Sequence, residues 1–499
     1  MLDALRPYYE STDVGEALPT GLPPRGKSPR KSARHVQAIL EDAHALDSNE
    51  KLNTSSYVTV VLEPEEEAVA LMGLRVNLAD QTVYPQSFDI HNRCVDTLAK
   101  LWHCPPEADG KHVGAGTVGS TEACLLAGLA LKFRWRVWYA ARHDAARALG
   151  EFPNLACWEK LFRYMDVEPR FVKPTFSGSH AGGRGWRLDP AHVAAAIDDH
   201  TMGVVCIVGN HYSGHYDRVD EIDAVVSQVN AARGFQVGIH VDAASGGFVA
   251  PFQDVPAWDF RCPNVLSVSA SGHKFGQACC GTGWIVWRER RNLAEHVAIS
   301  VGYLGGKADS YTLNFSRPAA GVYVQYYKFL RLGADGYARI VRNQLGGRAA
   351  EMAVARFIRC KLAAMARPGG EKYFEFLDAG DAGCLPVVAA RLDPALGLPF
   401  DDIDLQHAIS RKHWYVSGYK LDFVHPTTGE VGSLFSDLAD EEEGEQTTMI
   451  RIVVKANLSM AMASDLVAAI DESLKYLEAH GAGFFKHPAH VVHVHKAAC

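Results

Sequence analysis

Four short segments carry residue types that suit one kind of chemistry. In Ser271-Gly272-His273-Lys274-Phe275-Gly276 a lysine follows directly on the apolar run Val265–Ser269. At the exit of a buried strand a lysine is desolvated, which lowers its pKa and frees the amine to attack a carbonyl. The plainer alternative is a loop lysine beside a core histidine. In His240-Val241-Asp242-Ala243-Ala244-Ser245-Gly246-Gly247 an aspartate ends another apolar run. A carboxylate there can hold a ring nitrogen protonated through a charge-assisted hydrogen bond, and the small Ala244 lets a flat ring lie close. It can also be a helix cap. Gly116-Thr117-Val118-Gly119-Ser120-Thr121 opens a helical pattern, where backbone N–H groups and hydroxyls suit a phosphate, or where Ser120 and Thr121 merely cap. Asn314-Phe315-Ser316-Arg317-Pro318 makes a second turn of the same kind, with Ser316 as phosphate contact or cap. A lysine, a ring-nitrogen aspartate and a phosphate site together fit pyridoxal 5′-phosphate, an electron sink for a bond broken at an amino acid's Cα.

The elements that must position these residues alternate between helix and strand. Short apolar runs at Met202–Val208, Val237–Val241, Val265–Ser269 and Trp284–Trp287 suit strands of a mostly parallel sheet covered on both faces. Helices are expected near Ala33–His44, over Thr121–Ala141, over Phe315–Arg331 with Pro318 near the start, over Ala349–Ala364 and over Ser464–His480. Further strands are expected at Leu385–Leu392 and Met449–Val454. The resulting class is α/β, with a large mostly parallel sheet and a smaller C-terminal α/β part. The divisions are 1–50 as arm and helix, 51–345 as the large domain, 346–480 as the small domain and 481–499 as a tail. Residues 1–30, rich in Pro, Gly and basic residues, are expected to be a mobile arm. Asp440–Glu443 reads as a solvated loop.

The 499 residues hold ample apolar material, at 47%. A net charge of −8 argues against nucleic acid or an anionic membrane as partner. No apolar run is long enough to span a bilayer, and the first residues lack a secretory pattern. The 11 cysteines are scattered without a Cys-x-x-Cys pair, which favours free thiols in a reducing, cytoplasmic setting and gives no metal-site spacing.

With these residues in view the chain resembles the glutamate decarboxylases, pyridoxal-phosphate enzymes of the aspartate-aminotransferase fold type (fold type I). The stretches that carry the likeness are Tyr84–Val95, Val118–Trp135, Cys157–Glu168, His240–Phe252, Ser267–Gly276 and Tyr303–Gly333. The resemblance implies a lyase that converts L-glutamate to 4-aminobutyrate and CO2. It implies that Lys274 is the Schiff-base lysine and that His273 contacts the cofactor. It places Asp242 and Ala244 at the ring nitrogen and ring face, Ser120 and Thr121 at the phosphate, and Ser316 at the phosphate of a neighbouring subunit. On the substrate side it implies Ser56, Asn77 and Asp80 for the glutamate side chain and Arg451 for the α-carboxylate. A homodimer is the minimum assembly, with growth to a hexamer left open.

Three features depart from the family pattern. His211 stands where a Thr is usual near the cofactor hydroxyl, with Ser213 two residues on; His211 can still donate a hydrogen bond there, and can also titrate near neutral pH. The segment before Cys157-Trp158 is short and lacks a Gln that covers the ring. Residues 422–448 are longer and more acidic than expected, as for a lid or subunit contact. The tail carries His487, His490, His493 and His495, a candidate pH-released plug. No basic Trp-bearing helix supports calmodulin binding. The rival readings are a decarboxylase of aspartate or cysteine sulfinate, and a scaffold of this fold impaired in catalysis.

Overall fold

The computed structural model describes residues 32–143, 154–155, 164–172, 174–177, 185–293, 299–301, 308–310, 312–346, 353–378, 383–424, 431–433 and 447–482. The proposed arm, the Cys157-Trp158 segment, Tyr303, most of the acidic insert and the four tail histidines lie outside them. By its contacts the chain forms two units, Met1–Asn53 and Thr54–Cys499. In the first, α1 (Ala33–His44) begins where the Ser32 side chain accepts from the His35 N–H, a serine cap of the ordinary kind.

In the second unit α2 (Pro64–Gly73) and α3 (Pro85–Leu101) each start on a proline, which has no N–H to leave unpaired in a first turn. Seven strands build the large sheet: β1 (Val113–Thr117), β2 (Asn154–Leu155), β3 (Glu168–Pro169), β4 (Thr201–Ile207), β5 (Gly238–Asp242), β6 (Val265–Ala270) and β7 (Gly283–Trp287). Their order is β1-β7-β6-β5-β4-β2-β3. The β6–β5, β5–β4, β4–β2 and β2–β3 pairs are parallel, and β7 runs antiparallel to both of its neighbours. All six residues of β6 and all five of β7 are buried, so the unbroken apolar runs mark strands covered on both faces. Helices α4 (Ser120–Ala140) and α5 (Val219–Arg233) join the parallel strands.

The long helix α6 (Ala320–Leu345) begins five residues later than the expected Phe315. The preceding turn is held by backbone bonds instead. The N–H groups of Leu313 and Asn314 donate to the Glu122 carboxylate, and that of Arg317 donates to Asn77 Oδ1. Gly333, at φ 60°, breaks the helical dihedrals inside α6. Beyond it, α7 (Val354–Ala364) leads to a four-stranded antiparallel sheet of β8 (Phe374–Phe376), β9 (Val387–Leu392), β10 (Ser417–Lys420) and β11 (Thr448–Val453), in the order β8-β9-β11-β10. Helix α8 (Asp402–Ser410) starts with a reciprocal capping box between Asp401 and Asp404. The closing helix α9 (Met460–His480) begins before the expected Ser464 because Ser459 caps it. The described part of the acidic insert is a ribbon pairing Asp422–Val424 with Val431–Ser433.

One buried ion pair stands out in this frame. Lys328 Nζ lies 2.7 Å from Glu66 Oε2, with the Glu66 side chain wholly inaccessible. Removing one partner strands the other charge in the interior, so Glu66→Ala is expected to destabilise by about 3–5 kcal/mol. Urea unfolding of Glu66→Ala and of Glu66→Ala/Lys328→Met tests this: the double variant should recover part of the loss.

Candidate active site

Because β4, β5 and β6 run parallel, their exit turns share one edge of the large sheet. The β4 exit leads into Val208–Tyr216, β5 ends on Asp242, and β6 runs into Ser271–Lys274. Strand β1 points the same way as these three across β7, and delivers Gly119–Thr121 to that edge. An open α/β sheet binds its ligand beyond the carboxyl ends of its strands.

Lys274 Nζ donates to Ser245 Oγ at 3.1 Å and lies 5.3 Å from the centre of the Tyr57 ring. The two loops interlock, since the Ser271 N–H donates to the Ala244 carbonyl at 3.0 Å. Asp242 Oδ1 accepts from the Ala244 N–H at 3.0 Å, and Oδ2 accepts from the Cys124 thiol at 3.6 Å. His273 Nδ1 lies 2.7 Å from the Thr282 carbonyl and 3.2 Å from the Thr282 N–H, which donates to it. Burial holds this imidazole below its ordinary pKa.

At the start of α4, Gly119 adopts φ 147°, and no side chain caps the helix. Neither the Ser120 nor the Thr121 hydroxyl has a hydrogen-bond partner among the described residues. A Cβ on Gly119 would lie 3.3 Å from His273 Cε1. Gly119→Ala therefore combines an unfavourable φ with pressure on His273. It is expected to cost about 1–3 kcal/mol and to weaken cofactor binding roughly tenfold, the equivalent of about 1.4 kcal/mol, as read by thermal melts and cofactor titration. The unpartnered hydroxyls, the uncapped helix start, the lysine and the aspartate form a donor and acceptor set that fits pyridoxal phosphate.

Arg451, on β11, is 0% exposed. Its Nη1 donates to the His211 carbonyl, and its Nη2 donates to the Ser55 carbonyl (2.5 Å) and Ser417 Oγ (3.0 Å). The guanidinium carbon lies 4.5 Å from the Tyr57 ring centre and 5.1 Å from that of Tyr419. Its Nε finds no acceptor, and no carboxylate among the described residues pairs with it. A buried cation without a counter-charge favours an anion. Burial, partly offset by Arg451, raises the Tyr57 phenol above its ordinary value, so it stays neutral.

His211 Nε2 donates to the Tyr419 hydroxyl at 3.0 Å, and that hydroxyl donates to Ser417 Oγ at 2.9 Å. Of the two behaviours open to His211, donating a hydrogen bond and titrating near neutral pH, the contact with Tyr419 shows the first. The residue is exposed to solvent, and crowding by protein atoms, then the charges of Arg451 and Lys274, lower its pKa. The cofactor role expected of Ser213 needs correction. Its side chain is wholly buried, and its hydroxyl is engaged by Asn210 (3.1 and 3.0 Å) and by His215 Nδ1 (2.7 Å), so it braces the turn.

Ser56 Oγ accepts from the Val58 N–H at 3.2 Å, and the neighbouring Ser55 carbonyl meets Arg451. Asn77 and Asp80 are not gathered with this group. Asn77 Oδ1 accepts from the N–H groups of Ala79 and Arg317, and Asp80 Oδ1 from that of Val83. Beside them Leu78, Val118, Arg317 and Pro318 line a second cavity of about 360 Å³, near the exposed Ser316. Sequence reasoning missed Tyr57, Tyr419 and Glu122. Glu122, buried in the first turn of α4, accepts from the N–H groups of Val118 (2.9 Å), Leu313 (2.9 Å) and Asn314 (3.3 Å). Its place three residues past Gly119 was the available signal; the two tyrosines had none.

The model of the pyridoxal-dependent decarboxylase conserved domain matches residues 69–357. A glutamate decarboxylase of Solanum lycopersicum is 31% identical over 485 residues, covering 95% of this chain and 86% of that one. Glutamate decarboxylase 5 of Arabidopsis thaliana is 32% identical over 485 residues, covering 95% and 87%. The solved structure of the Lactobacillus brevis CGMCC 1306 glutamate decarboxylase superposes with a TM-score of 0.79 at 32% identity, covering 95% of this chain and 99% of that one. With a lysine, an aspartate and an open phosphate cradle gathered on one sheet edge, these likenesses settle the family: the chain belongs to the pyridoxal-dependent decarboxylases and, among them, to the glutamate decarboxylases.

Proposed function

We propose that the protein is a pyridoxal-phosphate lyase that removes the α-carboxyl of L-glutamate as CO2 and leaves 4-aminobutyrate. The observation that carries this reading is the fully buried, acid-free Arg451, whose guanidinium lies against the same Tyr57 ring as the Lys274 amine. A cation so placed suits the carboxylate of an amino acid whose amine would take the place of Lys274 on the cofactor. When bound, the cofactor supplies the ring that accepts electrons from the bond broken at Cα. Lys274 would hold it covalently, Asp242 would keep a proton at its ring nitrogen, Ala244 would leave room for its face, and Ser120, Thr121 and the start of α4 would hold its phosphate. Arg451 takes the α-carboxylate in place of its backbone carbonyl partners. Tyr57 and Tyr419 shield that contact from water, where a charge pair is stronger than in bulk solvent. His211, neutral and donating to Tyr419, anchors the tyrosine that packs on Arg451. Proton return to Cα is assigned to the Lys274 amine.

A second copy of the chain completes the site with Ser316, Asn77 and Asp80. Supporting this are the apolar side chains left exposed around the second cavity: Leu74 at 61%, Val83 at 62%, Val118 and Leu313 at 48%. Such a patch is typical of an interface. The large domain is taken as 51–345 and the small one as 346–480. The setting is cytoplasmic, in keeping with nine described cysteines that are all free thiols.

The test is CO2 release from cofactor-loaded protein with L-glutamate, L-aspartate, L-cysteine sulfinate and aromatic amino acids. Glutamate should exceed every other substrate by at least about tenfold in kcat/KM, which is about 1.4 kcal/mol of discrimination. Release from aspartate or cysteine sulfinate instead would reassign the substrate, and no release from a loaded dimer would mean an impaired scaffold.

A further inference from the structure

Behind Asp242 lies a run of polar groups that the reaction does not touch. Strands β5 and β6 pair in parallel with His240 opposite Ser267 and Asp242 opposite Ser269. Side chains two residues apart share a face of a strand, so these four stand together, and α4 packs Cys124 onto them. The contacts form a line. The Cys124 thiol donates to Asp242 Oδ2 at 3.6 Å, and Cys124 Sγ lies 3.7 Å from Ser269 Oγ. His240 Nε2 is 3.1 Å from Ser269 Oγ, and His240 Nδ1 is 2.7 Å from Ser267 Oγ. His240 and Ser269 are 0% exposed, Ser267 2% and Cys124 8%.

Counting protons gives the line a direction. The Cys124 thiol donates to Asp242 Oδ2, so its single proton is spent there. Sγ can then be met only by the Ser269 hydroxyl proton. That leaves Ser269 Oγ to accept from His240, whose proton therefore sits on Nε2, and Nδ1 accepts from the Ser267 hydroxyl. With the thiol proton on Asp242, any other assignment leaves one of the four contacts without a proton. Burial agrees, pushing the His240 imidazole down to about 3 and the Cys124 thiol well upward, so the ring carries one proton and the sulfur keeps its own.

We propose that this polarised line, Ser267–His240–Ser269–Cys124, is a positioning device that stabilises Asp242 as the anion facing the cofactor's ring nitrogen. It rests on the assignment of Asp242 to that nitrogen. Every hydrogen-bond dipole in it points toward the carboxylate, and buried chains of such bonds reinforce one another. The line makes the strength of the ring-nitrogen contact depend on a helix residue 118 positions away in sequence.

The experiment loads wild type, Cys124→Ala, Cys124→Ser, Ser269→Ala and Asp242→Asn with ¹⁵N-ring-labelled pyridoxal phosphate. It reads the ring-nitrogen NMR signal and the cofactor Kd, with thermal melts as the folding control. Cys124→Ala and Ser269→Ala should move the signal toward the unprotonated nitrogen and raise Kd roughly tenfold. Cys124→Ser, which keeps a donor, should stay within about threefold of wild type. Unchanged signal and Kd in Cys124→Ala and Ser269→Ala, with Asp242→Asn losing ring protonation, would overturn the line while leaving the Asp242 assignment intact. An unchanged signal in Asp242→Asn would overturn the assignment itself. Should one alanine variant fail to fold, the other decides the outcome alone.

Discussion

Lys274→Ala is expected to lose covalent hold of pyridoxal phosphate and to lower kcat by on the order of 10³-fold or more, since nothing else on that sheet edge can replace the nucleophile. Lys274 leaves β6 half-buried, with its amine between Ser245 Oγ and the Tyr57 ring. Borohydride treatment followed by mass spectrometry separates binding from attachment. Wild type should gain one cofactor mass per chain and Lys274→Ala none. The fold should survive, because Lys274 is only half-buried and its hydrogen bond to Ser245 has a net worth of about 1 kcal/mol. A variant that still fixes the cofactor after reduction would move the covalent role to another lysine, and the Lys274 assignment would fail.

Arg451→Gln should lower kcat/KM for glutamate by roughly 10²- to 10³-fold, the equivalent of about 3–4 kcal/mol, within the range for stranding a buried charge without its partner. The effect should depend on the ligand. 4-Aminobutyrate has lost the α-carboxylate, so its binding to Arg451→Gln should stay within about threefold of wild type. Arg451 also braces the fold through the carbonyls of Ser55 and His211. Arg451→Lys, which keeps the charge but not the fork, should fall between the two. Equal losses for glutamate and 4-aminobutyrate would show that Arg451 only holds the fold, and the carboxylate role would be withdrawn.

How much of this was legible before any coordinates differs from residue to residue. Lys274, Asp242, Ser120 and Thr121 could be read because each sits at the end of an apolar run or the start of a helix, a signal confined to fewer than ten residues. His211 was visible as a departure and as a hydrogen-bond donor, but its surroundings were not. Nothing near position 211 announces Arg451, 240 residues away, whose charge helps to lower the pKa of the imidazole. Ser213 looked like a cofactor contact until Asn210 and His215 were seen to occupy its hydroxyl. The start of α6 shifted from Phe315 to Ala320 because Glu122 and Asn77 hold the turn before it, and no propensity within 312–320 encodes those bonds.

By itself the sequence determined the α/β class, the strand ends that carry the chemistry and the cofactor they suit. These follow from periodicity and from residue types at strand and helix ends, which are local properties. Tertiary structure decided which groups meet. It placed Tyr57 between Lys274 and the buried Arg451, and Tyr419 against His211. It set Cys124 behind Asp242, and kept Asn77 and Asp80 at the separate turn beside Ser316. Those meetings depend on β7 entering antiparallel between β1 and β6, and on β11 lying between β9 and β10. Strand order of that kind is set by the packing of the whole core, since a hydrogen-bonding edge accepts neighbours from any distance along the chain.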